Sequence, residues 1–306
     1  MMDERISIYP EVAAALAEGR PVVALESSLL AHGLPVPRNL EVAQRMMQAV
    51  RDKGAVPAMV AILDGVIHVG LSEEELQLTG TPGRLSKVSR RDIPLVVARQ
   101  GHGGTTVAAT IWVAERVGIP IFATGGIGGV HRGAPLSFDI SADLQALAET
   151  NVVVVCAGAK SVLDIGLTLE RIETLGVPVV GYDTAEFPAF FCRRSGFPVD
   201  VRVERPEEVV AIARAKWDLG MRGGIVVGVP VPTAAGLDYR EMERVIGKAV
   251  NSAKREGIHG RALTPYLLAA VERATGGRSV AANEALLVNN AHVAAEIACA
   301  WGQGAK

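Results

Sequence analysis

The stretch Asn151–Asp164, NVVVVCAGAKSVLD, decides the fold. Four consecutive valines and Cys156 form an apolar run without a polar interruption, which is typical of a strand buried on both faces of a parallel sheet. Small residues follow, and Ser161 with Asp164 three positions later predicts the start of a helix over 161–175. Lys160 is therefore expected between a buried strand and a helix N-terminus, at the sheet edge where α/β proteins bind ligands.

Lys160 is the first candidate catalytic residue. Burial and the positive end of a helix both disfavour a charged amine, so we expect a neutral, nucleophilic lysine here. A lysine after a strand is also often a plain surface residue, and the sequence of this stretch alone favours the two interpretations about equally.

The composition favours an α/β protein. The chain has 306 residues, of which 49% are hydrophobic and 4% aromatic, so the core consists of Val, Leu, Ile and Ala, as in parallel sheets. No apolar run reaches the ~18 residues of a membrane span, and a net charge of -2 provides no basic surface for nucleic acid. Three widely spaced cysteines and an acidic N-terminus without an apolar signal region predict a cytoplasmic protein.

The order of the elements predicts one domain over residues 1–306, a three-layer α/β/α sandwich around a mixed, mostly parallel sheet. Val56 to Val69 holds two strands joined by Asp64-Gly65, a strong hairpin signal that makes the sheet mixed. Lys87 is placed in a basic loop, and Ile93 to Arg99 is predicted as another strand. No linker or internal repeat divides the chain.

Further polar residues follow predicted strands. Glu26 ends a buried strand, and Thr106 lies where a glycine-rich segment opens a helix whose free N–H groups predict an anion site. The glycine-rich loop 124–143 has the length of a functional loop, and it carries His131 and Asp139. Asp139 could hold a hard divalent cation mostly through waters. From residues alone we expect a lysine-dependent enzyme on a small phosphorylated substrate.

Several long segments carry a resemblance to a known family. They are ALESSLLAHGLPVPRN, SKVSRRDIP, GTTVAAT, ATGGIGGVHRGAPLSFDISADL, VVVCAGAKSVLDIG and GVPVVGYDT. The chain resembles the pseudouridine-5′-phosphate glycosidase family, also called the indigoidine-synthase-A-like family, from residue 6 to residue 300 and most densely before residue 200.

The resemblance implies reversible cleavage of the C–C bond that joins C1′ of ribose 5-phosphate to C5 of uracil. It implies that Lys160 is the nucleophile, that Glu26 is the proton donor, and that Asp139 holds one divalent metal ion per subunit, usually manganese. It also implies a homotrimer that binds a small phosphorylated nucleoside. The substrate-binding positions that it implies are Lys87, Thr106, Val107, His131, Ser141, Ala142, Asp143 and Asn283.

A C-glycoside lacks a heteroatom leaving group, so our hypothesis is a lysine adduct. Uracil pushes electrons toward C1′ while Glu26 protonates the ring oxygen, and Lys160 then adds at C1′. Uracil C5 takes a proton, the C–C bond breaks, and water hydrolyses the imine. The chain departs from the family pattern at Glu26-Ser27-Ser28, where the family usually reads Glu-Ser-Thr.

Two alternatives stay open. One is another Schiff-base lyase on a phosphorylated sugar, such as an aldolase. The other is a non-catalytic nucleotide-binding protein of the same fold, which the presence of both Lys160 and Glu26 disfavours.

Overall fold

The computed structural model describes residues 5–34, 36–258 and 263–303, without the side chains of His32, Thr264 and Pro265. The strands are β1 (Ile6–Ile8), β2 (Val22–Glu26), β3 (Val56–Leu63), β4 (Val66–Val69), β5 (Ser86–Val88), β6 (Gly103–Thr105), β7 (Ile121–Ala123), β8 (Val130–His131), β9 (Val153–Cys156), β10 (Leu163–Asp164), β11 (Val179–Tyr182), β12 (Val201–Val203) and β13 (Ile225–Gly228).

The helices alternate with these strands for most of the chain. They are α1 (Pro10–Ala17), α2 (Ser28–His32), α3 (Arg38–Asp52), α4 (Glu73–Gly80), α5 (Ile93–Ala98), α6 (Val107–Val117), α7 (Ala134–Ser137), α8 (Ala142–Glu149), α9 (Ile165–Thr174), α10 (Pro206–Asp218), α11 (Tyr239–Arg255), α12 (Leu263–Thr275) and α13 (Arg278–Gln303).

The main sheet is mixed and mostly parallel, as predicted. Its strand order is β1-β4-β3-β2-β7-β9-β13-β11-β12, and β6 with β5 extends it from β3. The antiparallel pairs are β3–β4, which is the predicted hairpin, and β3–β6. The central strands are continuous apolar runs, and every residue of β2, β3, β9 and β13 is buried, because helices cover both faces of such strands.

Two helical layers cover this sheet. Helix α13 packs on α3 and α10 and lies over β2, β7 and β9, whereas α6 packs on α8 and covers β2 and β7 from the other face. The predicted three-layer α/β/α architecture is therefore confirmed. Among the described residues, no helix is both long and apolar enough to cross a membrane.

The segment from Ile93 is a helix, so its prediction as a strand is wrong. The Ser89 hydroxyl and the Asp92 carboxylate form a reciprocal capping box on the 3₁₀ turn Arg90–Asp92, which leads directly into α5. Pro94 occupies the first turn of α5, where its missing N–H costs nothing. A short apolar run cannot be assigned to strand or helix from periodicity alone. Lys87 lies in β5, which pairs with β6, and not in a loop.

The helix after Lys160 also begins later than predicted. Asp164 is itself the N-cap of α9, accepting the Leu167 N–H at 3.0 Å, so the capping box with Ser161 does not form. The Lys160 carbonyl instead accepts a hydrogen bond from the Leu163 N–H at 2.9 Å in a turn. Lys160 therefore precedes the helix by five residues. The expectation that a helix N-terminus disfavours its charged form is wrong.

Candidate active site

Glu26 is a buried carboxylate at the end of β2. It is 4% exposed, and a buried carboxyl group requires hydrogen-bond partners. The Thr124 hydroxyl donates to Oε1 and the Ser28 hydroxyl donates to Oε2. Thr124 follows β7, the strand beside β2, and Ser28 begins α2. Both oxygens of the acid are thus held by side chains of adjacent segments.

Lys160 follows β9 and is half-buried. Its backbone N–H donates to the Ile127 carbonyl at 3.0 Å, and the Ile127 N–H donates to the Gly158 carbonyl at 3.0 Å. Beyond Lys160, β10 pairs with β8, which places Leu163 opposite His131. The backbone that carries the lysine is therefore paired with the glycine-rich loop on both sides of Lys160.

A cavity of about 230 Å³ brings four predicted site residues together: Glu26, Lys87, Lys160 and Asn283. Its floor includes Gly125 and Gly126, and its other walls are largely apolar, with Phe190 among the contributors. An apolar cavity with a few converging polar groups is the usual form of a small-molecule site. Phe187, Phe190 and Phe191 are buried, whereas Phe197 at the end of the segment 187–197 is 38% exposed.

The polar side of this region carries positive charge. Burial lowers the pKa of His131, Asp139 raises this pKa, and the nearby Lys87 and Lys160 side chains lower it further. The His131 Nδ1 lies 3.9 Å from Asp139 Oδ2. His131 is not part of the cavity lining, but its imidazole lies close enough to both lysines to respond to their charge. This electrostatic environment suits an anionic ligand.

The N-terminus of α6 forms a second group of predicted residues. Thr106 is its N-cap and is 8% exposed, and the Thr106 hydroxyl has no hydrogen-bond partner among the described residues. The Thr106 N–H donates to the Val88 carbonyl at 3.0 Å, one residue from Lys87. The helix start, with Val107 as its first residue, is thus joined to the strand that carries a cavity lysine.

Asp143 has a structural role that the sequence did not predict. It is 5% exposed, and its Oδ1 accepts the Ala108 N–H at 2.9 Å while its Oδ2 accepts the Gly128 N–H at 2.8 Å. The neighbouring Ser141 hydroxyl accepts the Asp143 N–H at 3.2 Å. The segment Ser141-Ala142-Asp143 therefore lies beside the α6 N-terminus, and both carboxylate oxygens bind backbone.

Asp139 is the predicted metal ligand. Its carbonyl accepts the His131 N–H at 3.0 Å, and its carboxylate side chain is 39% exposed. Within the described part of the chain, no three His, Cys, Asp or Glu side chains are placed to hold a metal ion together. A single accessible carboxylate fits a hard cation such as Mn²⁺ or Mg²⁺ that keeps most of its waters.

Asn290 is a site residue that our sequence analysis missed. It is fully buried in α13, and its Nδ2 donates to the carbonyls of Thr124 at 2.8 Å and Gly125 at 3.3 Å. Asn283, Leu287 and Asn290 are spaced by four and three residues, which places them on one helical face. A polar residue on the apolar face of a helix is the sequence feature that could have predicted a role for Asn290.

Comparisons with known proteins give a consistent result. A family model described as "Indigoidine synthase A like protein" matches residues 11–300. A pseudouridine-5′-phosphate glycosidase of Clostridium botulinum is 53% identical over 97% of this chain and 97% of the relative. One of Hahella chejuensis is 51% identical over 98% of this chain and 99% of the relative.

Two solved structures are also similar over nearly the whole chain. The prealnumycin C-glycosynthase in complex with ribulose 5-phosphate has a TM-score of 0.92 and 40% identity, covering 99% of this chain and 98% of that one. An indigoidine synthase A-like protein from Thermotoga maritima has a TM-score of 0.87 and 38% identity, covering 96% of this chain and 95% of that one.

Proposed function

The chain belongs to the indigoidine synthase A-like family, and from this membership we propose that it cleaves pseudouridine 5′-phosphate reversibly to uracil and ribose 5-phosphate. The observation that carries this proposal is the placement of a buried acid, Glu26, and an amine, Lys160, in the lining of one cavity. Relatives more than half identical are named for this activity.

The distribution of charge suggests how the substrate lies. We assign the phosphate to the positive side, where Lys87 and the α6 N-terminus at Thr106 and Val107 supply a cation, a hydroxyl and backbone N–H groups. The segment 141–143 lies beside this helix start, and His131 lies near both lysines. We assign uracil to the side formed by Asn283 and the apolar wall, since an amide can bind the edge of a base.

The first chemical step opens the sugar ring. Electrons from uracil N1 form a double bond between C5 and C1′, the bond from C1′ to the ring oxygen breaks, and Glu26 gives its proton to that oxygen. The Lys160 amine then adds to C1′, and uracil regains its ring electrons. General acid catalysis of this kind contributes typically about 10²- to 10⁴-fold.

The second step breaks the C–C bond. Uracil C5 takes a proton, the nitrogen of Lys160 forms an imine with C1′, and the electron pair of the C1′–C5 bond stays with uracil. Water hydrolyses the imine to ribose 5-phosphate and regenerates the amine. Atoms balance as substrate plus water giving uracil plus ribose 5-phosphate.

We also propose one divalent cation per subunit, Mn²⁺ by resemblance, held by Asp139 with waters at its other positions. When bound, the cation would supply further positive charge on the side of the site to which the substrate phosphate is assigned. The partly exposed Asp139 carboxylate supports this water-rich mode of binding.

The assembly that we propose is a homotrimer in the cytoplasm. Leu136 and Phe138 are 94% and 83% exposed, and large apolar side chains so exposed indicate a contact surface. The three cysteines Cys156, Cys192 and Cys299 are unpaired, which suits a reducing compartment. Light scattering of the purified protein would give the subunit number directly, and a monomer would contradict this assembly.

The activity is tested by incubating the protein with pseudouridine 5′-phosphate and Mn²⁺ and measuring uracil by chromatography. Borohydride added with ribose 5-phosphate should trap a sugar adduct, located by peptide mass spectrometry on Lys160. Lys160→Ala should give neither uracil nor adduct, whereas the matched variant Lys87→Ala should keep adduct formation at high ligand concentration.

Other outcomes would select the alternatives. An undiminished adduct in Lys160→Ala would exclude this lysine as the nucleophile. An adduct on Lys160 without uracil release would favour another Schiff-base lyase or a C–C bond-forming enzyme. Tight binding with neither product would favour a non-catalytic nucleotide-binding protein.

A further inference from the structure

Glu26 accepts hydrogen bonds from two hydroxyl groups that have no role in the proposed mechanism. Thr124 and Ser28 are 1% and 7% exposed, and each donates to a different oxygen of the Glu26 carboxylate. Hydroxyl bonds to an ionised carboxylate are about twice as strong as bonds between neutral groups. Both hydroxyls, together with Glu26, also contribute to the cavity lining.

The backbone of Thr124 is held on both sides. The Thr124 carbonyl accepts a hydrogen bond from the Asn290 Nδ2 at 2.8 Å, and the Thr124 N–H donates to the Val155 carbonyl at 3.0 Å. Thr124 is therefore fixed on one side by α13 and on the other by β9. A hydroxyl on so rigid a residue fixes the plane of the carboxylate that it binds.

We propose that Thr124 and Ser28 are positioning residues for Glu26 that drive its proton toward the sugar ring oxygen; this inference rests on the proposed function. Before transfer, Glu26 carries the proton, so its protonated oxygen is a weaker acceptor for the hydroxyl that faces it. After transfer, the carboxylate is an anion and accepts from both hydroxyls. The pair thus binds the product of proton transfer more strongly than the reactant, which favours ring opening.

Substitutions that remove or keep each hydroxyl separate this role from packing. Thr124→Val replaces the hydroxyl by a methyl group of similar size, and Thr124→Ser keeps it. Ser28→Ala removes the second hydroxyl, and Ser28→Thr keeps it while restoring the residue that the family usually carries. We expect Thr124→Val and Ser28→Ala each to lower kcat for pseudouridine 5′-phosphate by about 10- to 100-fold, with KM changed less than about threefold. The hydroxyl-keeping variants should stay within about threefold of the wild type.

A second readout excludes general damage to the site. Ribose 5-phosphate opens to its aldehyde without an enzyme, so its borohydride adduct on Lys160 does not require a proton from Glu26. Thr124→Val should therefore still form this adduct, and its melting temperature should stay close to that of the wild type. Loss of uracil release with retention of the adduct is the expected result.

Three results would overturn the inference. Wild-type kcat in Thr124→Val and Ser28→Ala would show that the hydroxyls are dispensable, and equal losses in Thr124→Val and Thr124→Ser would assign the effect to packing. Loss of the adduct together with turnover would assign it to collapse of the site. If the wild-type protein releases no uracil, the proposed function fails and this inference fails with it.

Discussion

Replacing Asp143 tests whether its carboxylate is structural. In Asp143→Ala, the buried N–H groups of Ala108 and Gly128 both lose their acceptor. An unsatisfied buried donor costs about 1–3 kcal/mol, so the two together should lower the free energy of unfolding by about 2–6 kcal/mol. Asp143→Asn keeps one acceptor oxygen and should lose about 1–3 kcal/mol.

Asp238→Ala is the matched control for this experiment. Asp238 is exposed and caps α11 through one hydrogen bond, from the Glu241 N–H at 2.7 Å. Loss of such a cap costs about 1 kcal/mol. The expected order of stability is therefore wild type, Asp238→Ala, and then Asp143→Ala as the least stable.

Urea unfolding followed by circular dichroism measures these differences, with the slope against urea checked for constancy. An Asp143→Ala variant no less stable than Asp238→Ala would refute the structural role. Unchanged stability of Asp143→Asn combined with weaker substrate binding would instead show that the carboxylate acts on the substrate. If Asp143→Ala does not accumulate in folded form, the Asn variant carries the measurement.

The remaining predictions concern backbone space, a buried thiol and the cation. Gly158 has φ +90°, and a Cβ there would lie 1.9 Å from the Pro188 carbonyl oxygen, whereas Gly118 has φ +78° and open space around it. Gly118→Ala should therefore lower the free energy of unfolding by about 1–2 kcal/mol. Gly158→Ala should lower it more and abolish turnover, as thermal melts and uracil release would show. Burial raises the pKa of Cys156 to about 12, so above pH 9 the unfolded chain binds fewer protons than the folded one. The free energy of unfolding should therefore fall by up to about 1.4 kcal/mol for each pH unit. Cys156→Ala should remove this part of the pH dependence, measured by urea titrations at pH 8 to 10. Asp139→Asn should weaken Mn²⁺ binding at least about tenfold, measured by the loss of free-Mn²⁺ paramagnetic resonance signal, while wild-type affinity in this variant would exclude Asp139 as the ligand.

The parts of the site that sequence reasoning predicted depend on local patterns. Glu26 and Lys160 each follow an uninterrupted apolar run rich in valine, a β-branched residue that favours strands. Buried parallel strands end at one edge of the sheet. Asp64-Gly65 likewise determines the hairpin through its own backbone preferences, with φ of 48° and 76°, as a type I′ turn requires.

The parts that it missed depend on contacts between distant segments. Lys87 lies in a strand of three residues that exists only because β6 pairs with it. The α5 segment is too short for its periodicity to distinguish helix from strand. Pro94, which has no N–H to donate within a sheet, lies in its first turn. The sequence around Asn290 predicts only a helix. The contact of its amide with the backbone of Thr124, 166 positions earlier, exists only in the folded structure.

The strand order has a consequence for the kind of ligand that can react. Glu26 and Lys160 follow β2 and β9, and one strand, β7, separates them. Neighbouring strands lie about 4.8 Å apart, so the backbones that carry acid and amine are held about 10 Å apart at this level of the sheet. The side chains of Glu26 and Lys160 must therefore reach across this gap to the ring that reacts, whichever group is attached to it. Asn283 and Leu268, which line the same cavity from α13 and α12, lie outside the sheet. Substitutions there can alter which base or aglycone is accepted while the distance between acid and amine stays constant.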